Sequence, residues 1–214
     1  MRKLTSESDN EIWEKWCYLH RPKLISKYTN NYWVNGEVEY RFEYHNLGHI
    51  LDCLDVLDSQ FHRYIDTLEM RLAIWYHDCV YNPTSKINEE ASREYAYYDL
   101  CPSLISPHRF QSIGELILAT KHNERVSDEI GYLIQSICDI DLSILGAPLD
   151  RYVDYSRKIR DEYRIFETSI YNTGRIKVLE SFLKREKIYH YLSHLEPLAR
   201  QNIKSEIMYL SWKF

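Results

Sequence analysis

Apolar residues along this chain recur mainly at helical spacing. Ile12, Trp13, Trp16 and Leu19 form a stripe that predicts a first helix, capped at Thr5 or Ser8 and ending near His20. Pro22 suits the first turn of a short second helix. Ile50, Leu51, Leu54 and Leu57 predict a helix from Leu47 to about Phe61. From Thr67 to Val80 the chain is apolar on all sides after Leu72, the pattern of a buried helix that stops near Asn82-Pro83. Further helices are predicted at Asn88–Leu100, Phe110–His122, Ser127–Ile144, Leu149–Ser169, Gly174–Arg185 and Leu195–Trp212. Between Asn30 and Tyr44, Asn35-Gly36 and alternating aromatics predict a loop or a small hairpin. No internal repeat or low-complexity linker interrupts the pattern. The expected fold is all-α, a single compact helical bundle over residues 1–214.

Composition narrows the reading. With 6 Gly and 6 Pro in 214 residues there is little turn material, which suits long helices better than a many-stranded sheet. The 19 tyrosines are expected at helix edges, rings packed and hydroxyls near water. The formal charge is −5, and Lys and Arg are scattered except for loose clusters at Arg157–Arg164 and Arg175–Lys187. That distribution argues against stable nucleic-acid binding and for a small anionic partner. The five cysteines are widely spaced and form no CxxC pair, as in a reduced cytoplasmic protein. No stretch reaches the ~20 apolar residues of a membrane span, and the N-terminus lacks a secretory apolar core. A cytoplasmic protein with no membrane partner is expected; the oligomeric state stays open, a homo-oligomer included.

Three groups of potential ligands fall on this scaffold. His45 and His49 lie four apart at a helix entrance, His77-Asp78 end the buried helix, and Asp139-Ile140-Asp141 end another. In the third group the stripe Ile130, Leu133, Ile134, Ile137, Cys138 runs on to Asp141 and Leu145, which places Asp139 on the opposite side. An acid on a core face is costly unless paired or metal-bound, so Asp141 is the better ligand candidate. Two imidazoles with two carboxylates suit a divalent ion (Mn, Mg, Co, Fe or Zn) that keeps positions for water.

The order His49, His77-Asp78, Asp141 resembles that of the HD superfamily of metal-dependent phosphohydrolases, and YHNLGHI at 44–50 resembles the YHNxxH motif of cyclic-nucleotide phosphodiesterases. AIWYHDCVYNP at 73–83, NEEAS at 88–92, ATKHN at 119–123, DIDLSILG at 139–146 and the Tyr152–Tyr163 run with Gly174-Arg175 are similar to a bacterial and phage group within that superfamily, over roughly residues 40–190. The resemblance implies an HD-type domain in which His49, His77, Asp78 and Asp141 hold the metal and His45 donates a proton. It implies hydrolysis of a phosphoester or phosphoanhydride of a small nucleotide, or of another phosphorylated substrate, by metal-bound hydroxide, with Asp78 holding the ion and orienting the water.

Lys121, His122, Arg160, Tyr163 and Arg175 are the candidate substrate contacts, and Glu89 and Glu90 are candidates to reach the site. Two alternatives remain. A di-iron oxygenase on the same fold would need more histidines than His122, and a non-catalytic nucleotide sensor would have no need of the full quartet.

Overall fold

A computed structural model describes residues 4, 6–29, 33–35, 38–40, 42–61, 65, 67–101, 103–122 and 131–212. Ten α-helices run through it: α1 (Glu7–Leu19), α2 (Arg21–Thr29), α3 (Leu47–Gln60), α4 (Leu68–Tyr76), α5 (Asn88–Leu100), α6 (Pro107–Ala119), α7 (Gly131–Asp141), α8 (Leu149–Glu162), α9 (Thr168–Leu183) and α10 (Glu196–Trp212). The fold is an all-α bundle. Its sheet is one hairpin, β1 (Trp33–Asn35) antiparallel to β2 (Val38–Tyr40), with Asn35 opposite Val38. Gly36, which was expected in the turn, lies outside the described residues, as do Ile130 and residues 123–129.

Helix α4 sits in the middle, packed against α3, α5, α6 and α7. Its residues are buried on every side apart from Glu69, which is why its sequence shows no polar face. The Thr67 side chain caps it by accepting from Met70 N. Buried Arg71 is offset by Asp58 of α3. Trp16 of α1 packs on Trp75 and Tyr76, and the Tyr28 hydroxyl of α2 donates to the Trp75 carbonyl, fixing the N-terminal helices to α4. At the other end, α10 packs against α8, α9 and the 3-10 turn Leu142–Gly146 that continues α7.

Several predicted boundaries move. Helix α1 is capped by Ser6, rather than by Thr5 or Ser8. Helix α4 ends at Tyr76 and not near Val80, and Cys79 N donates back to the Tyr76 carbonyl. Helix α6 begins a turn earlier than expected, because Ser106 caps it and Pro107 opens it, and it ends at Ala119. Lys121 and His122 therefore follow that helix rather than close it. The predicted Leu149–Ser169 helix breaks after Glu162, where Arg160 donates to the carbonyls of Tyr163 and Phe166 across the gap before α9. Many tyrosine hydroxyls are also deeper than expected and bonded inside, as Tyr76 is to Asp99 and Tyr189 to the Leu142 carbonyl. No single helix among the described residues is long and apolar enough to cross a membrane.

Candidate metal centre

His49, His77, Asp78 and Asp141 come together from three helices, and one ligand atom of each lies within 4.8 Å of all the others. His49 arrives in the first turn of α3, which Asn46 caps by accepting from Gly48 N. His77 is the last residue of α4 with helical dihedrals, and Asp78 stands in the turn just past it. Neighbours inside a helix would diverge by about 100°. Ending α4 here lets the two side chains converge, with Nε2 of His77 3.0 Å from Oδ2 of Asp78. Asp141 closes α7 and brings Oδ1 to 3.1 Å from His49 Nε2 and 3.6 Å from His77 Nε2.

The donor geometry suits a cation. His77 donates from Nδ1 to the Ile74 carbonyl at 2.9 Å, which turns the lone pair of Nε2 into the cluster. His49 Nε2 stands 3.2 Å from that nitrogen and 3.5 Å from Asp78 Oδ2. Ligands about 2.1 Å from a shared ion, at tetrahedral or octahedral angles, lie about 3.0–3.4 Å apart. The separations between the histidines, and from them to the two carboxylates, run from 3.0 to 3.6 Å, at or slightly beyond that spacing. Two buried imidazoles and two carboxylates facing one another form a set that could hold a metal ion.

The charges couple as this geometry requires. Burial works to raise the Asp78 carboxyl, but the His77, His45 and His49 imidazoles overturn it and hold it at about 2. Burial opposes the His77 cation, yet Asp78 and Asp141 raise its pKa well above the ordinary value. Asp141 is driven well below the usual carboxylate range against its burial, first by His122 and then by His49 and His77.

His45 stands just before α3, stacked on Tyr81 at 3.9 Å between ring centres. Its Nδ1 meets Oε2 of Glu162 at 2.6 Å, while Oε1 of Glu162 accepts from the backbone N–H groups of Tyr44 and His45 at 2.7 and 2.8 Å. Burial works to lower the His45 pKa, but Glu162 and then Asp78 push it up to about 8. Sequence reasoning missed Glu162. The signal was present: Tyr152, Tyr155 and Ile159 form the buried stripe of α8, and Glu162 continues it.

Beside the cluster lies a cavity of about 570 Å³, lined among others by His45, Asp78, Asp141, Tyr163, Arg175 and Arg185. A smaller one of about 320 Å³ reaches His49 and Asp141 from the other side, past Asp52 and Asp55. Of the predicted substrate contacts, Lys121, His122, Tyr163 and Arg175 line the larger cavity. Lys121 is ion-paired with Glu90, and Glu89 lies at the same cavity wall. His122 places Nε2 2.8 Å from Asp141 Oδ2, and Arg175 is buried on Glu206 at 2.9 Å. Arg160 does not line the cavity, because its guanidinium is committed to the α8–α9 break and to the Tyr171 ring.

The expected placement of Asp139 needs correction. Asp139 is off the Asp141 face, but it is fully buried and accepts from the backbone N–H groups of His190, Tyr191 and Leu192. Helix α7 is covered on two faces, the second by a segment fifty residues later in the chain. Compared with known protein families and with curated proteins, the chain matches none.

Proposed function

We propose that this protein is a divalent-metal-dependent phosphohydrolase acting on a small phosphorylated substrate such as a nucleotide. The observation that carries the reading is the convergence of His49, His77, Asp78 and Asp141 on one point at the wall of a cavity that also holds arginines and a histidine. The four side chains would hold the ion. A divalent ion in such a site lowers the pKa of water and polarises a phosphoryl oxygen.

The remaining work falls to the chain's own groups. Glu162 fixes the His45 ring through Nδ1, leaving Nε2 as the nitrogen able to give a proton to a departing alkoxide. Glu162, a neighbour of His45 and not of the ion, raises the His45 pKa against its burial and so favours the protonated state that an acid needs. Tyr81 stacked on the ring and the carboxylate behind it hold His45 in one orientation. Arginines on the cavity wall offer forked donors to phosphate oxygens.

The test is Mn²⁺ titration by calorimetry on wild type, His77→Ala and Asp141→Ala, joined to phosphate release from a panel of phosphate esters. Wild type should bind Mn²⁺ and turn over at least one ester, both variants should lose the ion, and His45→Ala should keep it while turnover falls by roughly two to four orders of magnitude. Wild type that binds no divalent ion, or that binds iron and consumes oxygen without releasing phosphate, refutes the proposal.

A further inference from the structure

The cations around the larger cavity are not equivalent. Lys121 is committed to Glu90 and lies 4.0 Å from Glu89. Arg175 is buried, forks onto both oxygens of Glu206 and donates to the Tyr155 hydroxyl. Arg185 differs from both. It donates from Nη2 to the His122 carbonyl at 2.8 Å and lies over the Phe182 ring at 4.7 Å, with no carboxylate in ion-pair range among the described residues. A guanidinium carries five N–H donors, so most of this one is unspent. Burial alone lowers its pKa, as expected for a cation half withdrawn from water without an acid to offset it.

Its position is held from both sides. Arg200 of α10 donates to the carbonyls of Leu183, Arg185 and Glu186, which pins the turn after α9. His122 joins Arg185 to the candidate metal centre, since its carbonyl takes the arginine while its ring reaches Asp141. His122 has φ 57°, the only positive value at a non-glycine among the described residues. Such a conformation costs energy and persists where surroundings impose it, commonly at functional sites.

One stretch of the wall offers no hydrogen bonding. Ile159, Phe166, Ile170, Val178 and Phe182 are apolar. Some of the hydroxyls beside them are engaged: Tyr163 bonds Tyr81 at 3.1 Å, Tyr155 accepts from Arg175, and Ser181 donates to the Val178 carbonyl. A group packed against those five side chains would lose its bonds to water and find no replacement there, which favours an apolar surface at that point.

We propose that Arg185 is the phosphate-binding cation of this cavity, and that its ligand is a phosphate monoester or diester with an aromatic or apolar organic part. The inference rests on the phosphohydrolase reading and names its substrate class. With a divalent ion offsetting Asp78 and Asp141, Arg185 supplies the one further arginine or lysine charge on this wall without an acidic partner among the described residues. That balances a phosphodiester and offsets about half the charge of a monoester, whereas a triphosphate chain carries several more charges than the wall can meet. The apolar wall takes the organic part by packing and stacking.

The experiment is calorimetry on Mn²⁺-loaded protein with inorganic phosphate, 1-naphthyl phosphate, ribose 5-phosphate and inorganic triphosphate. Mn²⁺ affinity is measured first, for wild type, Arg185→Ala and Arg185→Gln; the glutamine retains a donor for the His122 carbonyl and guards against loss of the local fold. Wild type should bind 1-naphthyl phosphate about tenfold tighter than ribose 5-phosphate, and no weaker than triphosphate. Both variants should keep Mn²⁺ and lose about tenfold or more in affinity for every phosphate, the worth of a charge-assisted bond. Mn²⁺ bound normally with phosphate affinity unchanged in both variants, or ribose 5-phosphate or triphosphate preferred over 1-naphthyl phosphate, overturns this inference alone. Wild type that fails to take up Mn²⁺ overturns the phosphohydrolase reading and this one with it.

Discussion

Glu162→Gln separates charge from geometry at the His45 clamp. The amide preserves side-chain length and one carbonyl oxygen, so the backbone N–H groups of Tyr44 and His45, now 2.7 and 2.8 Å from Oε1, keep an acceptor. What changes is the atom facing His45 Nδ1 at 2.6 Å, which becomes a donor in place of an anion. Burial then works on the imidazolium without its largest opponent, and the His45 pKa should fall from about 8 to its ordinary 6.5 or below. A histidine pKa raised by folding stabilises the protein fully below the unfolded value, and that benefit disappears as pH rises through the folded one. A difference of 1.5 between 8 and 6.5 corresponds to about 2 kcal/mol. In urea denaturation of chelator-treated protein, the variant should be about 2 kcal/mol less stable than wild type at pH 6, with the gap closing by pH 9. With metal restored, turnover of alkyl phosphates should fall much more than turnover of a nitrophenyl phosphate, whose leaving group needs no proton. An equal gap at both pH values, or none at pH 6, would refute the charge coupling assigned to Glu162 and His45.

Two further outcomes follow from the geometry. Asp141→Ala should lose Mn²⁺ with its fold retained, whereas Asp139→Ala should cost about 3 kcal/mol or more by stranding three backbone donors and still bind Mn²⁺ where folded; equal metal loss in folded samples of both would end the distinction. Gly146→Ala should destabilise by about 1–3 kcal/mol, since a Cβ there meets Leu195 Cβ at 2.6 Å. Gly174→Ala, inside α9 with nothing within 4 Å, should stabilise by up to about 1 kcal/mol, and thermal melts in which both variants fall would contradict this.

Where local signals were complete, the sequence predicted the structure well. Helix α5 spans Asn88–Leu100 as predicted, and α3 begins at Leu47 behind an Asn46 cap. The failures are tertiary in origin, with one exception. The break after Glu162 contains no glycine or proline and is held by Arg160 reaching forward to Tyr163 and Phe166, which no periodicity reveals. The exception is the start of α6, where Ser106-Pro107 marked the boundary and was passed over.

Buried acids show most clearly what the sequence could and could not separate. Asp139, Glu162 and Glu206 are buried, as Asp141 nearly is, and by burial alone each is a candidate ligand. Their partners divide them. Asp139 accepts from three backbone N–H groups, Glu162 from two and from His45, and Glu206 from Arg175 and the Tyr152 hydroxyl. Each is satisfied by groups that always donate, or by a histidine whose proton it fixes. Asp141 faces three imidazoles and Asp78 faces two, with no backbone donor or guanidinium on either among the described residues. Imidazole nitrogens offer lone pairs as readily as protons, so among the described residues these are the largely buried acids whose surroundings could pass from holding protons to holding a metal ion. Burial picks out the acids; only the identity of the atoms opposite them separates the ones that build the fold from the ones that could bind an ion.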